Sequence, residues 1–464
     1  AWGGGASPGG ASGEVAEQED PVAVAALEVL RDECVSCHRP GKSKGRLKLT
    51  SLEEIRAGGE SGPVLVGGDA QKSLLHQVLA KEGDPHMPPK KQLSAAQREA
   101  VRGWIDGGAK WIAQVRERPP RVEPVELRAM AGGPQPVLAM AQDREGARLV
   151  VARGGMLEIR DLKAEGFPVR RAWTAHVDSV KAVGWSPDGA WVVSGGFRAL
   201  RVWNAADGTL AWESMGWAGE VGALCFSEDG GTLWVGDSLA TRGGYLAVVD
   251  WAERKVGRVW KAHEDSILGL ALAPDGKSVV SAGADKRVRR WDAVSRAGVA
   301  TYEGHTNQVL GVVYDPLKGR IATTGADREI KVWDVSTREQ DAVLGDKRQV
   351  YSALGWSADG KALVGVSDRG QGTIFSEIGK HEGAQSSAVA KVQNLPRLDA
   401  LLQSVAVAHD AGWVVAGASD GRLFLWRSRD GKWAPLGDGA PQTQPDTSSG
   451  AGAAAGAAAP GPGR

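Results

Sequence analysis

The sequence predicts a multidomain chain: a small all-α domain followed by an all-β seven-bladed propeller. Two observations carry that prediction. A segment of roughly forty residues, ending in Trp-Asp or a worn version of it, recurs through the second half. Ahead of it, two Ser-x-x-Glu/Gln caps and a short apolar stripe mark helices instead of strands. At 464 residues the chain is too long for one ordinary core. Its 64 glycines and 18 tryptophans, against 5 phenylalanines and 4 tyrosines, suit many short strands joined by tight turns.

The order along the chain is read as follows. Residues 1–20 are rich in Gly, Ser and Ala and are expected to be disordered. Residues 21–113 form the helical domain. Ala26, Leu27 and Leu30 make a helical stripe that runs into Cys34, while Ser51 with Glu54 and Ser94 with Gln97 form capping boxes. The second box opens a helix with Val101, Trp104 and Ile105 on one side, stopped at Gly107-Gly108. Residues 114–135 are a linker whose 122–130 stretch would supply the outer strand closing the last blade. Residues 136–433 are the propeller, and 434–464 are a low-complexity tail expected to be disordered.

Cys34-Val35-Ser36-Cys37-His38 is the motif with the most chemistry in it. Two thiols at this spacing can add to the two vinyl groups of a haem, and the adjacent histidine then faces the iron. A redox dithiol would want a βαβ context and a zinc site a second Cys or His pair; Cys225, the remaining cysteine, lies far away in a strand-like segment. The expectation is one covalently attached haem c, tethered by Cys34 and Cys37, with His38 as proximal ligand. The sixth position is filled from Asp84-Pro85-His86-Met87-Pro88-Pro89, where prolines stiffen an extended loop around a soft thioether. Met87 is the expected ligand; the alternatives are that Met87 is ordinary core packing, that His86 or His76 is the ligand, or that the site is open.

The small domain resembles the planctomycete-type cytochrome c domain. The resemblance runs through Cys34-Val35-Ser36-Cys37-His38, Lys44-Gly45-Arg46-Leu47-Lys48-Leu49, Gly68-Asp69-Ala70-Gln71-Lys72-Ser73, Met87-Pro88-Pro89 and Trp104-Ile105-Asp106-Gly107-Gly108. It implies His38 and Met87 as axial ligands. Proteins similar to this one often join that domain to WD40 repeats.

The repeats show the same association. Ala262-His263, Ser281-Ala282-Gly283-Ala284-Asp285 and Trp291-Asp292 are answered by Gly304-His305, Thr323-Thr324-Gly325-Ala326-Asp327 and Trp333-Asp334, 42 residues on, the WD40 period. Trp203, Val249-Asp250, Phe375 and Trp426 mark further copies, and a worn first copy ends at Arg160-Asp161, giving seven. His176, His263 and His305 are read as structural: in WD40 proteins this histidine bonds through a strand Ser/Thr and a turn Asp toward the tryptophan. The copy holding His176, Ser194 and Trp203 has Arg198 where the Asp belongs, so its network is expected to be incomplete. Cys225 is read as a small core residue.

The 56 basic and 56 acidic residues cancel, giving no sign of a nucleic-acid partner. No apolar run reaches the ~18–20 residues of a membrane helix. The start at Ala1 followed by a flexible stretch reads as the mature end left by an export signal. Thioether attachment of haem is normally extracytoplasmic, so a periplasmic protein, free or peripheral to a membrane complex, is expected. Arg39, Lys42, Lys44, Arg46 and Lys48, with Lys90 and Lys91, are ordinarily a solvated loop; beside a haem edge they would also form a basic rim that steers an acidic redox partner. The functional expectation is a non-catalytic one-electron carrier whose propeller is a rigid platform for a protein partner or larger complex. Two alternatives stand beside it. His381 and His409 lie outside the repeat pattern and keep open an oxidoreductase with a second cofactor or substrate site in the propeller, as in nitrite reductases of the cytochrome cd1 type; a haem-based sensor is the other.

Overall fold

The structure, a computed structural model, describes residues 20–120, 127, 135–240, 242–379 and 390–437. The chain divides into two compact units, residues 1–121 and 122–464.

In the first unit, Asp20 caps helix α1 (Pro21–Val29) by accepting from the Val22 and Ala23 amides, with Pro21 at the first helical position where its missing N–H costs nothing. The helix then widens into a π-helical turn, Leu30–Cys34, closed by a 3.0 Å bond from the Val35 amide to the Leu30 carbonyl. The expected stripe is its buried face: Ala26, Leu27 and Leu30 are 2% exposed or less. A small hairpin follows, β1 (His38–Arg39) with β2 (Lys42–Ser43). Helices α2 (Leu52–Ala57), α3 (Leu74–Gln77), α4 (Ala95–Asp106) and α5 (Ala113–Glu117) complete the unit.

The Ser94–Gln97 capping box is complete. The Ser51 box is half formed: the Ser51 hydroxyl accepts from the Glu54 amide, but the Glu54 carboxylate takes the Thr50 hydroxyl instead of reaching back to the cap. α4 presents Val101, Trp104 and Ile105 to the core and stops at Gly107 and Gly108. The unit continues past Ala113, because buried Val115 and the carbonyls of Val115 and Arg118, both bonded by Arg31, pin α5.

The second unit is a β-propeller whose sheets are built from consecutive antiparallel strands. Five sheets have four strands: Val137–Gln142 to Val169–Thr174, Ile267–Leu272 to Gly298–Glu303, Val309–Tyr314 to Gln340–Leu344, Tyr351–Trp356 to Lys391–Asn394, and Leu402–Val407 to Trp433–Leu436. The remaining sheet has six strands, Ala182–Trp185 to Lys255–His263.

Two expectations are corrected here. Seven separate blades are expected and the described residues form six sheets. The reason is local: Trp191–Asn204 runs through two strand positions of one repeat, stepping register between Phe197 and Ala199, and Leu210–Phe226 passes from that repeat into the next. The last sheet, expected to take its fourth strand from 122–130, takes it from its own C-terminal segment Trp433–Leu436, paired with Leu423–Arg427. Residues 122–130 lie, apart from Leu127, outside the described residues, as do most of the two termini expected to be disordered. Packing closes the ring: Val137, Leu149 and Val151 of the first sheet share one buried cluster with Val415, Leu423 and Leu425 of the last. Among the described residues no helix is long and apolar enough to cross a membrane.

Candidate functional site

The π-helical turn that ends α1 delivers Cys34, and a tight turn (Cys37 amide to Cys34 carbonyl, 3.1 Å) brings Cys37 round beside it. Cys34, Cys37 and His38 are all half-buried. The hairpin then folds the next residues back over the histidine. His38 pairs with Ser43, its carbonyl accepts from the Leu49 amide at 2.9 Å, and its Nδ1 lies 3.3 Å from the Leu47 carbonyl. A carbonyl accepts only, so Nδ1 carries the proton and Nε2 keeps its lone pair for a metal. Burial, then the Glu33 carboxylate and the neighbouring Cys37, push the Cys34 thiol up to about 12.

Met87 packs on the same core. Its backbone is fixed by a 2.7 Å bond from its amide to the Val78 carbonyl, and its half-buried side chain packs on the core cluster alongside Cys34, Val35, Leu47 and Val78. The two competing histidines have other engagements. His86 Nε2 lies 2.8 Å from Gln92 Oε1, and Gln92 is itself tied to the Leu79 carbonyl at 3.1 Å. His76, on α3, lies within electrostatic reach of Glu99, whose carboxyl is held low chiefly by its bond to Arg102.

These residues fit a haem. The Cys34 thiol and the Met87 thioether pack on one apolar cluster, Cys37 and the His38 imidazole, bonded to a carbonyl, follow Cys34 closely in the chain, and Val35, Leu47, Leu52, Leu65, Leu74 and Val78 at the cluster's edge are only partly covered. Around them, Arg39 and Lys42 are cross-strand neighbours on the hairpin, and Lys42, Lys44 and Lys90 are exposed. Arg46 makes an exposed pair with Glu60 at 3.3 Å, and Lys48 is half-buried. Lys91 is turned to Glu33 at 2.5 Å, a pairing that nothing in the local sequence signals.

In the propeller, the expected networks are present. His263 joins Asp285 (Nδ1–Oδ1, 2.9 Å) to Ser281 (Nε2–Oγ, 2.7 Å), and Trp291 Nε1 donates to the same hydroxyl at 2.9 Å. His305 repeats this with Asp327, Thr323 and Trp333 at 2.8, 2.8 and 2.9 Å. In the third copy His176 and Trp203 both reach Ser194 at 2.8 Å, but His176 Nδ1 is buried with no hydrogen-bond partner. Asp178 stands 3.9 Å from it and is spent on the Phe197 amide. The network is incomplete where Arg198 replaces the Asp. Cys225 packs at the edge of the core cluster of Trp234, and burial pushes its thiol up to about 12. His409 is exposed, its carbonyl accepting from the Asp359 amide; His381 lies outside the described residues.

Comparison with known proteins agrees with both halves. Residues 34–91 match the planctomycete cytochrome C family, a span that opens at Cys34 and closes at Lys91. Residues 167–210, 254–292 and 297–334 match the WD domain, G-beta repeat. Curated proteins similar to this chain include the WD repeat-containing protein srw1 of Schizosaccharomyces pombe, 28% identical over 27% of this chain and 23% of its own length. The B-type cell cycle switch protein ccs52B of Medicago truncatula is 29% identical over 26% of this chain and 25% of its own. Human WD repeat-containing protein 36 is 30% identical over 26% of this chain and 13% of its own. The chain thus spans a quarter or less of each of these relatives.

Proposed function

We propose that this cytochrome c-like unit joined to a WD-repeat propeller is a monohaem c-type cytochrome that passes single electrons between partners, with the propeller as docking scaffold. The observation that carries the reading is His38: in a C-x-x-C-H segment, its Nδ1 lies 3.3 Å from the Leu47 carbonyl, which leaves the Nε2 lone pair available as a ligand. Cys34 and Cys37 would tether the macrocycle, and His38 and Met87 would supply the protein's ligands to the iron. A bound haem supplies a one-electron iron couple, and its thioether chemistry favours an extracytoplasmic protein. The exposed Lys42, Lys44 and Lys90 favour an acidic partner by raising its encounter rate.

The six-stranded sheet reads as two blades run together, which restores seven. Residues 192–195 pair with Ala182–Trp185 while 199–203 pair with 210–215, and Trp203 bonds Ser194 as Trp291 bonds Ser281 across a blade's hairpin.

The test is attachment and count. Protein made in a host with c-haem maturation should keep one haem per chain through denaturation, and Cys34→Ser with Cys37→Ser should abolish it. Two haems per chain would favour a second cofactor in the propeller; none that survives denaturation would end the proposal.

A further inference from the structure

The loop that carries Met87 is closed mostly on itself. Met87 holds the Val78 carbonyl through its amide, Lys91 bonds the Pro88 carbonyl at 3.3 Å, and His86 and Gln92 pair across it. These contacts fix the loop's shape and its seat on the residues after α3. They leave open how it stands against the segment that holds Cys34. Beside the packing of Met87 on the core that Cys34 shares, one ion pair among the described residues joins the two. Lys91 Nζ lies 2.5 Å from Glu33 Oε1, joining residues 58 positions apart. Glu33 is the residue before Cys34, and its side chain is 17% exposed against 59% for Lys91. Gln97, the partner of Ser94 in the α4 cap, donates to the same Glu33 oxygen at 3.5 Å, so the carboxylate is held from a second element. Between Met87 and Lys91 stand Pro88, Pro89 and Lys90, and the fixed φ of the two prolines stiffens this short arm. Tethering Lys91 therefore tethers Met87.

We infer that the Glu33–Lys91 ion pair is a strap that holds the Met87 loop closed toward the Cys34 segment, making Glu33 and Lys91 positioning residues for the sixth ligand. This rests on the reading of Met87 as that ligand. The strap is partly exposed, so its contribution is modest and salt-sensitive. It biases an equilibrium between a closed loop and one that lets an outside ligand in.

The experiment is imidazole binding to the ferric, haem-loaded full chain, followed by loss of the long-wavelength Met–iron absorption band. Glu33→Gln and Lys91→Gln should each bind imidazole about five-fold more tightly than the wild type, and the double variant no more tightly than either single one. The charge swap Glu33→Lys with Lys91→Glu should return affinity toward the wild type, and high salt should bring the wild type toward the single variants. Equal thermal midpoints for the singles and the swap separate the strap from a general loss of folding. Single variants with wild-type affinity, or a double variant in which the two effects add, would overturn the strap while leaving Met87 as ligand. A wild type without the Met–iron band would overturn the strap together with the reading beneath it.

Discussion

Arg160 donates to the carbonyl of Gly437 at 3.2 Å across 277 residues, tying the first sheet of the propeller to the end of the last. The guanidinium is 1% exposed and is held in place by Glu158 through bonds of 2.8 and 3.2 Å. A second link of the same kind runs from the Ser404 hydroxyl to the Val137 carbonyl at 2.8 Å. Each sheet is completed by consecutive strands, so no strand crosses this seam among the described residues and side chains must close it.

Removing Arg160 takes two hydrogen bonds from buried Glu158 and leaves it only the Arg153 guanidinium, 3.1 Å away. Arg160→Met should therefore lower propeller stability by about 3 kcal/mol, read from the midpoint of urea unfolding. The companion Glu158→Gln with Arg160→Met should recover part of the loss. A change below about 0.5 kcal/mol for Arg160→Met would mean that apolar packing alone closes the ring.

The turn arginines Arg254 and Arg338 differ in what their strain gains. Both sit in the left-handed region, at φ 53° and 68°. The Arg254 guanidinium stacks on Trp251 at 3.3 Å and lies 5.3 Å from Trp191, which offsets the cost; Arg338 is exposed and reaches the Val299 carbonyl at 3.5 Å. Arg338→Gly should raise stability by about 0.5–1 kcal/mol and Arg254→Gly should lower it by about 1 kcal/mol. Thermal midpoints that move in the same direction for both would contradict this assignment.

Two buried groups respond oppositely to acid. Burial, with the Arg201 charge behind it, pulls His176 down to about 4, so its contribution to stability is present above pH 6.5 and is lost as pH falls toward 4. His263 and His305 are shifted downward by burial and act in the same sense. Burial pushes Asp237 up to about 6 against the opposing bonds from the Gly219 and Ala218 amides, so its contribution is present below about pH 4 and is lost as pH rises through 6. Asp237→Asn should therefore make the acid loss between pH 6 and 4 steeper than in the wild type, measured by urea unfolding at several pH values. An unchanged slope would show that Asp237 does not titrate in that window.

Lys42 and Lys44 stand exposed on and after the hairpin that follows His38. Lys42→Glu with Lys44→Glu should slow reduction by an acidic redox protein several-fold at low salt and flatten the dependence of the rate on ionic strength. A rate independent of salt in the wild type would remove the basic rim from the account.

Much of this was legible in the sequence because it is local or periodic. The His305, Thr323, Asp327 and Trp333 set lies within one repeat, so its spacing alone located it, and the Arg198 lesion showed as a broken copy. The run from Leu27 through Cys34 to His38 is one continuous segment and reads as a helix delivering a motif. Contacts made across the chain were not legible. Nothing near Glu33 points to Lys91, nothing near Arg160 points to Gly437, and the merger of two repeats depends on strand lengths that turn residues do not set. The role of the Leu47 carbonyl is a backbone property and leaves no residue signature.

A spectroelectrochemical titration of the haem-loaded full chain, with haem counted per chain, tests the central claim most directly. The account predicts one haem, a single one-electron wave, and a Met–iron band that is present in the oxidised protein and lost in Met87→Ala. Two waves, a second haem species, or an oxidised spectrum that Met87→Ala leaves unchanged would contradict it.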